Sequence, residues 1–489
     1  MLSSSADLAV KVSRAVKAGQ LRSIGPKLYT SNLKDDDETV IRRNLWRVVG
    51  LLSPGSVVSY RTALEGKPSA NNTVYLVGGS DYRRDLPGLH LRVEKGPGPQ
   101  EGDLPFIGGL YMASRPRALL EALKPSRKRA GTQRGLTPTE IEAIVEGLFD
   151  AGGERKLNEI RDRAAALVPA LDAQAENQTL SRLIGVLLGS RQGPLTQASA
   201  IARLAGTPYD SARLELFQKL FAHLQATPSA SRVASHTSSD YWVNTSFFDA
   251  YFSNFIEGTE FEVDEAREIV FENKIPADRP LDAHDVLGTW HVVGNRATMS
   301  QSIMKDVDET AFIERLRTVH HTILEGRTDK RPGQFKQLPN RAGDTRFVEP
   351  DKVRGTLHQG FQLARGLAEP FHRATALMFI ISEVHPFDDG NGRVARALMN
   401  AELITGGEAR ILIPSVFREE YLSGLRNLTR QYEPKVLVQV MDYAQRFTSS
   451  IDWSNYDRAR AMLENANAFE KPAPDMKLQI PAVKPDLRR

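Results

Sequence analysis

The sequence predicts a mainly α-helical protein in which a smaller α+β region precedes a helical domain with one β-hairpin. Hydrophobic residues recur with helical spacing from about residue 240 to residue 450, with one interruption near residues 333–348. Residues 1–125 instead contain short apolar runs that end in glycine, and VYLVGG (74–79) and LHLRVEKG (89–96) predict strands. Since the chain has 489 residues, we expect more than one domain.

Turn-forming and basic residues in KPSRKRAGTQRG, residues 124–135, predict a boundary between two regions of the chain. We expect residues 1–125 to form the α+β module and residues 126–239 to form a helical connecting region. The main helical domain should occupy residues 240–450. The end of the chain, residues 451–489, should form one further helix and then a disordered tail rich in proline and lysine.

The composition is typical of a globular protein, with 41% hydrophobic and 25% charged residues. The chain contains no cysteine, which excludes disulfides and thiolate metal sites. Its N-terminal stretch lacks the apolar core of a signal peptide, and no apolar run is long enough to span a bilayer. These features predict a cytoplasmic protein with no membrane partner.

The charge of the chain is unevenly distributed. Residues 1–125 contain 18 Lys and Arg against 12 Asp and Glu, a net charge of +6, whereas the whole chain has a net charge of +4. An excess of this kind is typical of a solvated basic face or of contact with nucleic acid or another polyanion. The composition leaves both interpretations open.

The stretch HPFDDGNGRVAR, residues 385–396, combines residue types that packing alone does not require. The preceding segment, residues 371–384, is apolar on nearly all sides and predicts a buried helix. The turn formers DDGNG lead into a second predicted helix at residues 392–407, which ends at a glycine pair. The motif therefore predicts a loop that opens at a helix N-terminus, where unpaired N–H groups bind anions.

The charged side chains of this loop favour phosphoryl or nucleotidyl transfer. Arg393 and Arg396 are three residues apart on one helical face, so they can hold two phosphates of one polyphosphate. A carboxylate at Asp389 would face those phosphates through a divalent cation, for which Mg²⁺ is the natural choice. His385 is suited to take a proton from a hydroxyl near neutral pH. The alternative is a polar loop whose arginines pair with its aspartates.

The same residues resemble the Fic motif, HxFx(D/E)GNGRxxR, at every specified position. The resemblance implies an all-α Fido fold, and transfer of AMP from ATP to a Tyr, Thr or Ser hydroxyl of a target protein. ATP would be the co-substrate and Mg²⁺ the cofactor. The resemblance also leaves open that the protein modifies itself and that it forms a homodimer.

The resemblance also implies a role for each residue of the motif. It implies that His385 is the general base, that Phe387 is the buried anchor of the loop, and that Asp389 holds Mg²⁺. The residues implied to bind the phosphates of ATP are Gly390, Asn391, Gly392, Arg393 and Arg396.

A second stretch, SNFIEG at residues 253–258, resembles the inhibitory pattern (S/T)xxxE(G/N) of Fic proteins. Ser253 and Glu257 are four residues apart and should share one face of a helix, which we place at residues 245–258. The resemblance implies that Glu257 pairs with Arg396 and takes the partner that the γ-phosphate needs. The enzyme would therefore be autoinhibited.

Three other functions remain open at this point. In some Fic proteins the same glutamate serves to remove AMP from a modified target, so a de-AMPylase is one alternative to transfer. A transferase that uses another nucleotide is the second. The third belongs to a different class, a DNA-binding regulator whose Fic domain only senses a nucleotide.

Two further segments complete the predicted site. Residues 331–350 contain a turn between short extended stretches and predict a β-hairpin. Fic proteins have a flap here that pairs with an extended stretch of the target, which implicates Thr345, Arg346 and Phe347. Downstream, the sequence around Tyr421 resembles the segment that closes over adenine.

The N-terminal third resembles the winged-helix antitoxin family typified by AbiEi. The resemblance rests on VKAGQLRSIGPKLYTSN (16–32), SYRTAL (59–64) and ASRPRALLEAL (113–123). It implies a winged-helix-like module and contact with DNA. However, the chain begins close to the last helix expected for such a domain, so a structural or target-docking module is the alternative.

Overall fold

The computed structural model describes four stretches of the chain, residues 2–3, 8–125, 133–234 and 238–481. They form two compact units, Met1–Leu204 and Ala205–Arg489. Most of the basic run in residues 124–135 and the last residues of the proline- and lysine-rich tail lie outside the described residues. The domain boundaries expected at residues 125, 239 and 450 remain predictions.

The first unit combines mixed β-sheets with helices. Its elements, in chain order, are β1 (Leu2–Ser3), α1 (Ala9–Lys17), β2 (Arg22–Gly25), β3 (Leu28–Thr30), α2 (Asp37–Arg43), α3 (Leu45–Leu52), β4 (Val57–Val58), α4 (Tyr60–Glu65), β5 (Thr73–Gly78), β6 (Tyr82–Leu86), β7 (Leu89–Lys95), β8 (Leu104–Phe106), β9 (Leu110–Met112), α5 (Arg115–Leu123), α6 (Pro138–Leu171), α7 (Gln174–Leu187) and α8 (Ala198–Leu204).

Six strands of this unit form one sheet in the order β6-β7-β5-β4-β9-β8. The two strands predicted from VYLVGG and LHLRVEKG are confirmed as β5 and β7, which pair in parallel from Thr73 with His90 to Gly78 with Lys95. All six residues of β5 are buried, because the strand lies inside the sheet and is covered on both faces. A smaller sheet, β1-β3-β2, combines the strand before α1 with the two strands that follow it. Whether it acts as the wing of a DNA-binding module remains a prediction.

The second unit is helical apart from one hairpin. Its elements are α9 (Ser211–Ala226), α10 (Ser239–Ile256), α11 (Val263–Glu272), α12 (Pro280–Val293), α13 (Arg296–Met299), α14 (Glu309–Ile323), β10 (Arg341–Ala342), β11 (Thr345–Arg346), α15 (Val353–Ala364), α16 (Pro370–Val384), α17 (Asn391–Thr405), α18 (Arg418–Gln431), α19 (Lys435–Ser450) and α20 (Tyr456–Asn465). The prediction of a mainly α-helical protein with a smaller α+β region and one hairpin is confirmed.

Helix α16 lies at the centre of the second unit. Twelve of its fifteen residues are buried, which confirms the helix predicted from its apolar sequence. It packs against α17, α15 and α9. Since α16 and α17 are both held by the core, the loop between them is fixed at both ends.

Helix α10 is held by an aromatic cluster. Phe248 stacks on Tyr456 and Phe252 stacks on Phe469, with ring centroids 5.7 and 5.4 Å apart. Both phenylalanines are almost completely buried, and such rings supply much of the burial energy of a core. These contacts direct the C-terminal end of α10 towards the N-terminus of α17. No helix within the described residues is both long enough and apolar enough to cross a bilayer.

Candidate active site

The loop between α16 and α17 is closed by a hydrogen-bonded side chain. The Phe387 N–H donates to Asn391 Oδ1 at 2.9 Å, and Asn391 Nδ2 donates back to the Phe387 carbonyl at 3.0 Å. Gly390 adopts a φ of 71° and caps the start of α17. The side chain of Asn391 therefore holds the loop in shape, while the backbone of α17 presents its first N–H groups.

Phe387 anchors the loop by stacking on a second histidine. Its side chain is completely buried, and its ring lies parallel to that of His320 with centroids 3.7 Å apart. His320 Nε2–H donates to the Asp389 carbonyl at 3.1 Å, while Nδ1 accepts from the Gly333 N–H at 2.8 Å. Burial lowers the pKa of His320 to about 4, so the ring is neutral and can act as donor and acceptor at once.

His385 ends α16 with a left-handed backbone, at a φ of 52°. Its ring stacks on Phe347 with centroids 3.8 Å apart. The Nδ1 atom lies 3.2 Å from the Ser382 carbonyl, which can only accept, so Nδ1 carries the proton and Nε2 keeps a free lone pair. Burial lowers the pKa of His385 to about 4, against the opposing effect of the Ser382 hydrogen bond. The ring is therefore a neutral proton acceptor at physiological pH.

Arg396 is bound by the end of α10. Its Nη2 donates to Glu257 Oε1 and to the Ser253 carbonyl, both at 2.8 Å, and its Nε donates to Ser253 Oγ at 3.0 Å. Burial would raise the pKa of Glu257, but the charges of Arg396 and Arg393 outweigh this effect and lower it. The structure therefore brings together the residues that the two sequence motifs placed more than a hundred positions apart.

Gly392 leaves the space that Glu257 occupies. A Cβ atom at this position would lie 2.1 Å from Glu257 Oε1, a distance at which one of the two must move. The carboxylate thus lies against the first turn of α17, where a phosphate is predicted to bind. An anion is stabilised there by the helix N-terminus, whether it belongs to the protein or to a ligand.

Arg393 is bound by a carboxylate outside the loop. Its Nη1 lies 2.9 Å from Asp285 Oδ2, and both side chains are at most 3% exposed. Asp285 also forms an ion pair with Arg327, whose Nη2 lies 2.7 Å from Asp285 Oδ2. Arg393 Nε donates to none of the described residues. The sequence pattern gave no signal for Asp285, because it comes from α12 and belongs to no local motif.

The two adjacent aspartates of the loop have different surroundings. Asp388 is held by Arg331, whose Nε and Nη2 each donate to one carboxylate oxygen at 2.9 Å. Asp389 is 41% exposed in its side chain and lies 3.7 Å from Arg393 Nη2. The alternative of a loop whose arginines pair only with its own aspartates does not describe these contacts.

Asp389 fits a magnesium ion only if other ligands join it. Within the described residues, no group of three or more His, Asp or Glu side chains could hold a metal ion. Mg²⁺ is commonly bound by one or two carboxylates together with phosphate oxygens and water. The donor set is therefore suited to an ion that arrives with a nucleotide, and poorly suited to a permanent one.

A cavity of about 450 Å³ opens beside the loop. His385, Gly392, Arg396 and Glu257 line one part of it, and residues of α18 line another. Tyr421, the predicted adenine contact, is 1% exposed and lies with its ring 5.9 Å from the Arg396 guanidinium. A volume of this size is typical of a small-ligand site.

The predicted hairpin is confirmed as β10 and β11. Ala342 pairs with Thr345 around a tight turn in which Gly343 adopts a φ of 54°. Thr345 and Phe347 line the cavity, whereas the Arg346 side chain is 71% exposed. Target binding by these three residues remains a prediction.

Residues 311–403, from α14 to α17, match the Fic/DOC family. The chain is 31% identical over 106 residues to a Fido domain-containing protein of Dictyostelium discoideum, which covers 21% of this chain and 74% of that protein. The chain therefore belongs to the Fic/DOC family. The resemblance inferred from residues 385–396 is confirmed.

Two longer relatives are named as enzymes. Protein adenylyltransferase fic-1 of Caenorhabditis briggsae is 24% identical over 322 residues, which are 62% of this chain and 58% of that protein. The C. elegans protein of the same name is 24% identical over 317 residues, which are 61% of this chain and 57% of that protein. The chain thus spans under three fifths of each. A solved structure of C. elegans Fic-1 (aa134–508) aligns with a TM-score of 0.38 and 17% identity, over 68% of this chain and 90% of that one.

Proposed function

We propose that this protein is an adenylyltransferase that moves AMP from ATP to a Tyr, Thr or Ser hydroxyl of a target protein, and that Glu257 restrains it. The observation that carries the proposal is the juxtaposition, around one cavity, of a neutral His385 and the N-terminus of α17 with Arg396. Two relatives named as protein adenylyltransferases support the same activity.

In the proposed reaction the target hydroxyl gives its proton to His385 Nε2. The hydroxyl oxygen forms a bond to the α-phosphorus of ATP as the bond to the β-phosphate oxygen breaks, and pyrophosphate leaves. Arg393 and Arg396 hold the β- and γ-phosphates, while the N–H groups of Asn391 and Gly392 point at phosphate oxygens. Mg²⁺ held by Asp389 and the phosphates would neutralise part of their charge.

The stacking of Phe347 on His385 supports the proposed role of the hairpin. An extended segment of the target that pairs with β11 would lie beside the histidine that takes the proton. The hydroxyl to be modified would then be held within reach of Nε2. Self-modification would follow if a segment of a second copy of the chain reached the same place.

Glu257 accounts for a restrained resting state. While its carboxylate binds Arg396, the guanidinium is not available to the γ-phosphate, and the negative charge repels that phosphate. A coupling of about 1–3 kcal/mol, common for links of this kind, corresponds to roughly 5- to 150-fold repression. Release of Glu257 should therefore activate the enzyme.

The experiment that tests the proposal is the incorporation of α-phosphate-labelled ATP into protein in a cell lysate. Glu257→Gly should label a target strongly, wild type weakly, and Glu257→Gly/His385→Ala not at all. Label from the γ-phosphate instead would indicate a kinase. If neither ATP nor another nucleotide labels any protein, including the enzyme itself, the transferase proposal is wrong.

A separate experiment tests whether the protein removes AMP, because Glu257 could also orient water towards a modified target. Target that has been labelled by Glu257→Gly is purified and mixed with unmodified wild type. Loss of label that requires Glu257 would make removal the main activity. Stable label over the same period would leave transfer as the function.

A further inference from the structure

One buried carboxylate of the cavity has no role in the proposed phosphate chemistry. Glu383, two residues before His385, is 4% exposed and lines the cavity. It lies on α16, on the side of the cavity that faces α18 and the hairpin. A carboxylate that is kept out of water without a ligand is costly unless other groups satisfy it.

Two side chains hold Glu383 in position. Thr429 Oγ1 donates to Oε2 at 2.7 Å, and Arg213 Nε lies 2.9 Å from Oε1 in an ion pair. Oε1 accepts no hydrogen bond of regular geometry from any described residue. Burial raises the pKa of Glu383, and Arg213 opposes this effect. Oε1 is buried against Arg213, whereas Oε2 accepts one hydrogen bond and, as a carboxylate oxygen, can accept a second one from a group in the cavity.

The positions along α18 relate this carboxylate to the phosphate end of the cavity. Tyr421 lies beside Arg396, where phosphates are proposed to bind, and Thr429 lies eight residues further along the helix. Eight residues of α-helix extend about 12 Å. A nucleoside whose phosphates lie at Arg396 can therefore extend along α18 and bring its base to Glu383. Tyr421 would then lie beside the phosphate end of the nucleotide, and not beside adenine as the sequence predicted.

The walls between these two ends suit a flat aromatic base. Leu422 and Leu425 line the cavity from α18, and Ala342 and Gly343 line it from the hairpin. Pockets for small ligands typically combine apolar walls with a few polar groups that fix orientation. Glu383 is placed to be such a group.

We propose that Glu383 selects the nucleotide base by accepting a hydrogen bond from the 6-amino group of adenine. The inference rests on the proposed nucleotidyl transfer and specifies which residue reads the base. A purine with an oxygen at this position would place two acceptors face to face, and both would be left unpaired. Inosine triphosphate, which has a 6-oxo group in place of the 6-amino group and a hydrogen on N1, is therefore the discriminating probe.

The experiment measures kcat/KM for ATP and for inosine triphosphate in the Glu257→Gly background. We expect a preference for ATP on the order of 10- to 100-fold, the range for a hydrogen bond to a charged group. Glu383→Gln should reduce this ratio about tenfold or more, because the glutamine amide can turn its NH₂ towards the 6-oxo group. Thr429→Val, which removes one of the two groups that hold Glu383, should reduce the ratio by a smaller factor.

Glu420→Gln is the matched control, since Glu420 is an exposed carboxylate on the first turn of α18. It should leave the ratio unchanged. The ratio is measured with two substrates on one sample, so a loss of folded protein cancels. An unchanged ratio in both Glu383→Gln and Thr429→Val would overturn the assignment. If Glu257→Gly transfers neither nucleotide, the proposed function itself fails, whereas equal use of both nucleotides removes only the role of Glu383.

Discussion

Arg393 and Arg396 lie three residues apart on α17, yet their acidic partners differ in kind. Arg393 binds Asp285, which is 2% exposed, lies within α12 and also binds Arg327. Arg396 binds Glu257, whose side chain is 29% exposed and which lies at the end of α10. A carboxylate shared by two arginines inside the core fixes the loop, whereas one at a helix end can leave while the framework stays intact.

The largest expected effect is on stability. Asp285→Ala leaves Arg393 without its buried partner and should lower the free energy of unfolding by about 3–5 kcal/mol. Glu257→Ala should lower it by about 1 kcal/mol or less, because Arg396 keeps its hydrogen bonds to Ser253 and loss of the carboxylate opens the guanidinium to the cavity. Urea unfolding of the two variants measures both values. Equal losses would mean that the two pairs do not differ as described.

The next effect is on activity. Glu257→Gly should raise the rate of AMP transfer by roughly 5- to 150-fold. Asp285→Asn, which keeps the shape of the side chain but weakens its hold on Arg393, should not activate and should reduce the rate. Glu260→Ala, at an exposed carboxylate shortly after α10, is the control and should leave the rate at the wild-type level. Activation by Asp285→Asn would mean that the restraint acts through Arg393 and not through Arg396.

A smaller effect is expected at Ser253, which accepts a hydrogen bond from Arg396 Nε at 3.0 Å. Ser253→Ala removes this acceptor and loosens the hold of α10 on the guanidinium. A hydrogen bond of this kind contributes about 0.5–1.5 kcal/mol, so the rate should rise roughly 2- to 10-fold. In the Glu257→Gly background the same substitution should have no further activating effect. A full additional gain there would mean that Ser253 acts independently of Glu257.

The smallest effect on the rate is expected from pH, and it extends the comparison to His385. With a pKa of about 4, His385 should remain the neutral base as the pH falls from 8 to 6. The rate of Glu257→Gly should then change by less than about twofold, whereas a histidine of pKa about 6.5 would be mostly protonated at pH 6. A pH–rate profile of kcat/KM measures this. A fall centred near pH 6.5 would contradict the burial of His385.

His320 and His385 should both make the stability of the protein depend on pH, even though the rate should not. Both His320 and His385 have pKa values of about 4 in the folded chain, below the ordinary value of 6.5. The unfolded chain therefore binds more protons between these values, and stability should fall as the pH falls from about 6.5 to 4. His320→Gln should flatten this dependence in urea titrations at several pH values, and an unchanged slope would contradict it.

The residues that the sequence could identify are those whose neighbours are local. His385, Phe387 and Arg396 stand at fixed spacings within one loop and one helix, so their grouping follows from the chain itself. The pairing of Glu257 with Arg396 could be expected because each lay in a recognisable motif. The buried helix α16 was predictable from its unbroken apolar character.

The residues that the sequence could not identify belong to the site only because of the way the helices pack against one another. Asp285 in α12, His320 in α14 and Glu383 in α16 each touch the loop or the cavity through tertiary packing, and helical periodicity does not specify the partner of a helix. The role of Gly392 could not be identified from the sequence either. It follows from the position of Glu257, which no pattern within residues 385–396 contains.

The measurement that tests the central claim most directly is a double-mutant cycle on Glu257 and Arg396. The rate of AMP transfer from α-labelled ATP is determined for wild type, Glu257→Gly, Arg396→Ala and the double variant, at equal amounts of folded protein. If Glu257 restrains the enzyme by occupying Arg396, Glu257→Gly should accelerate transfer only when Arg396 is present. An equal acceleration in the Arg396→Ala background would contradict the account, because Glu257 would then act on something other than this arginine.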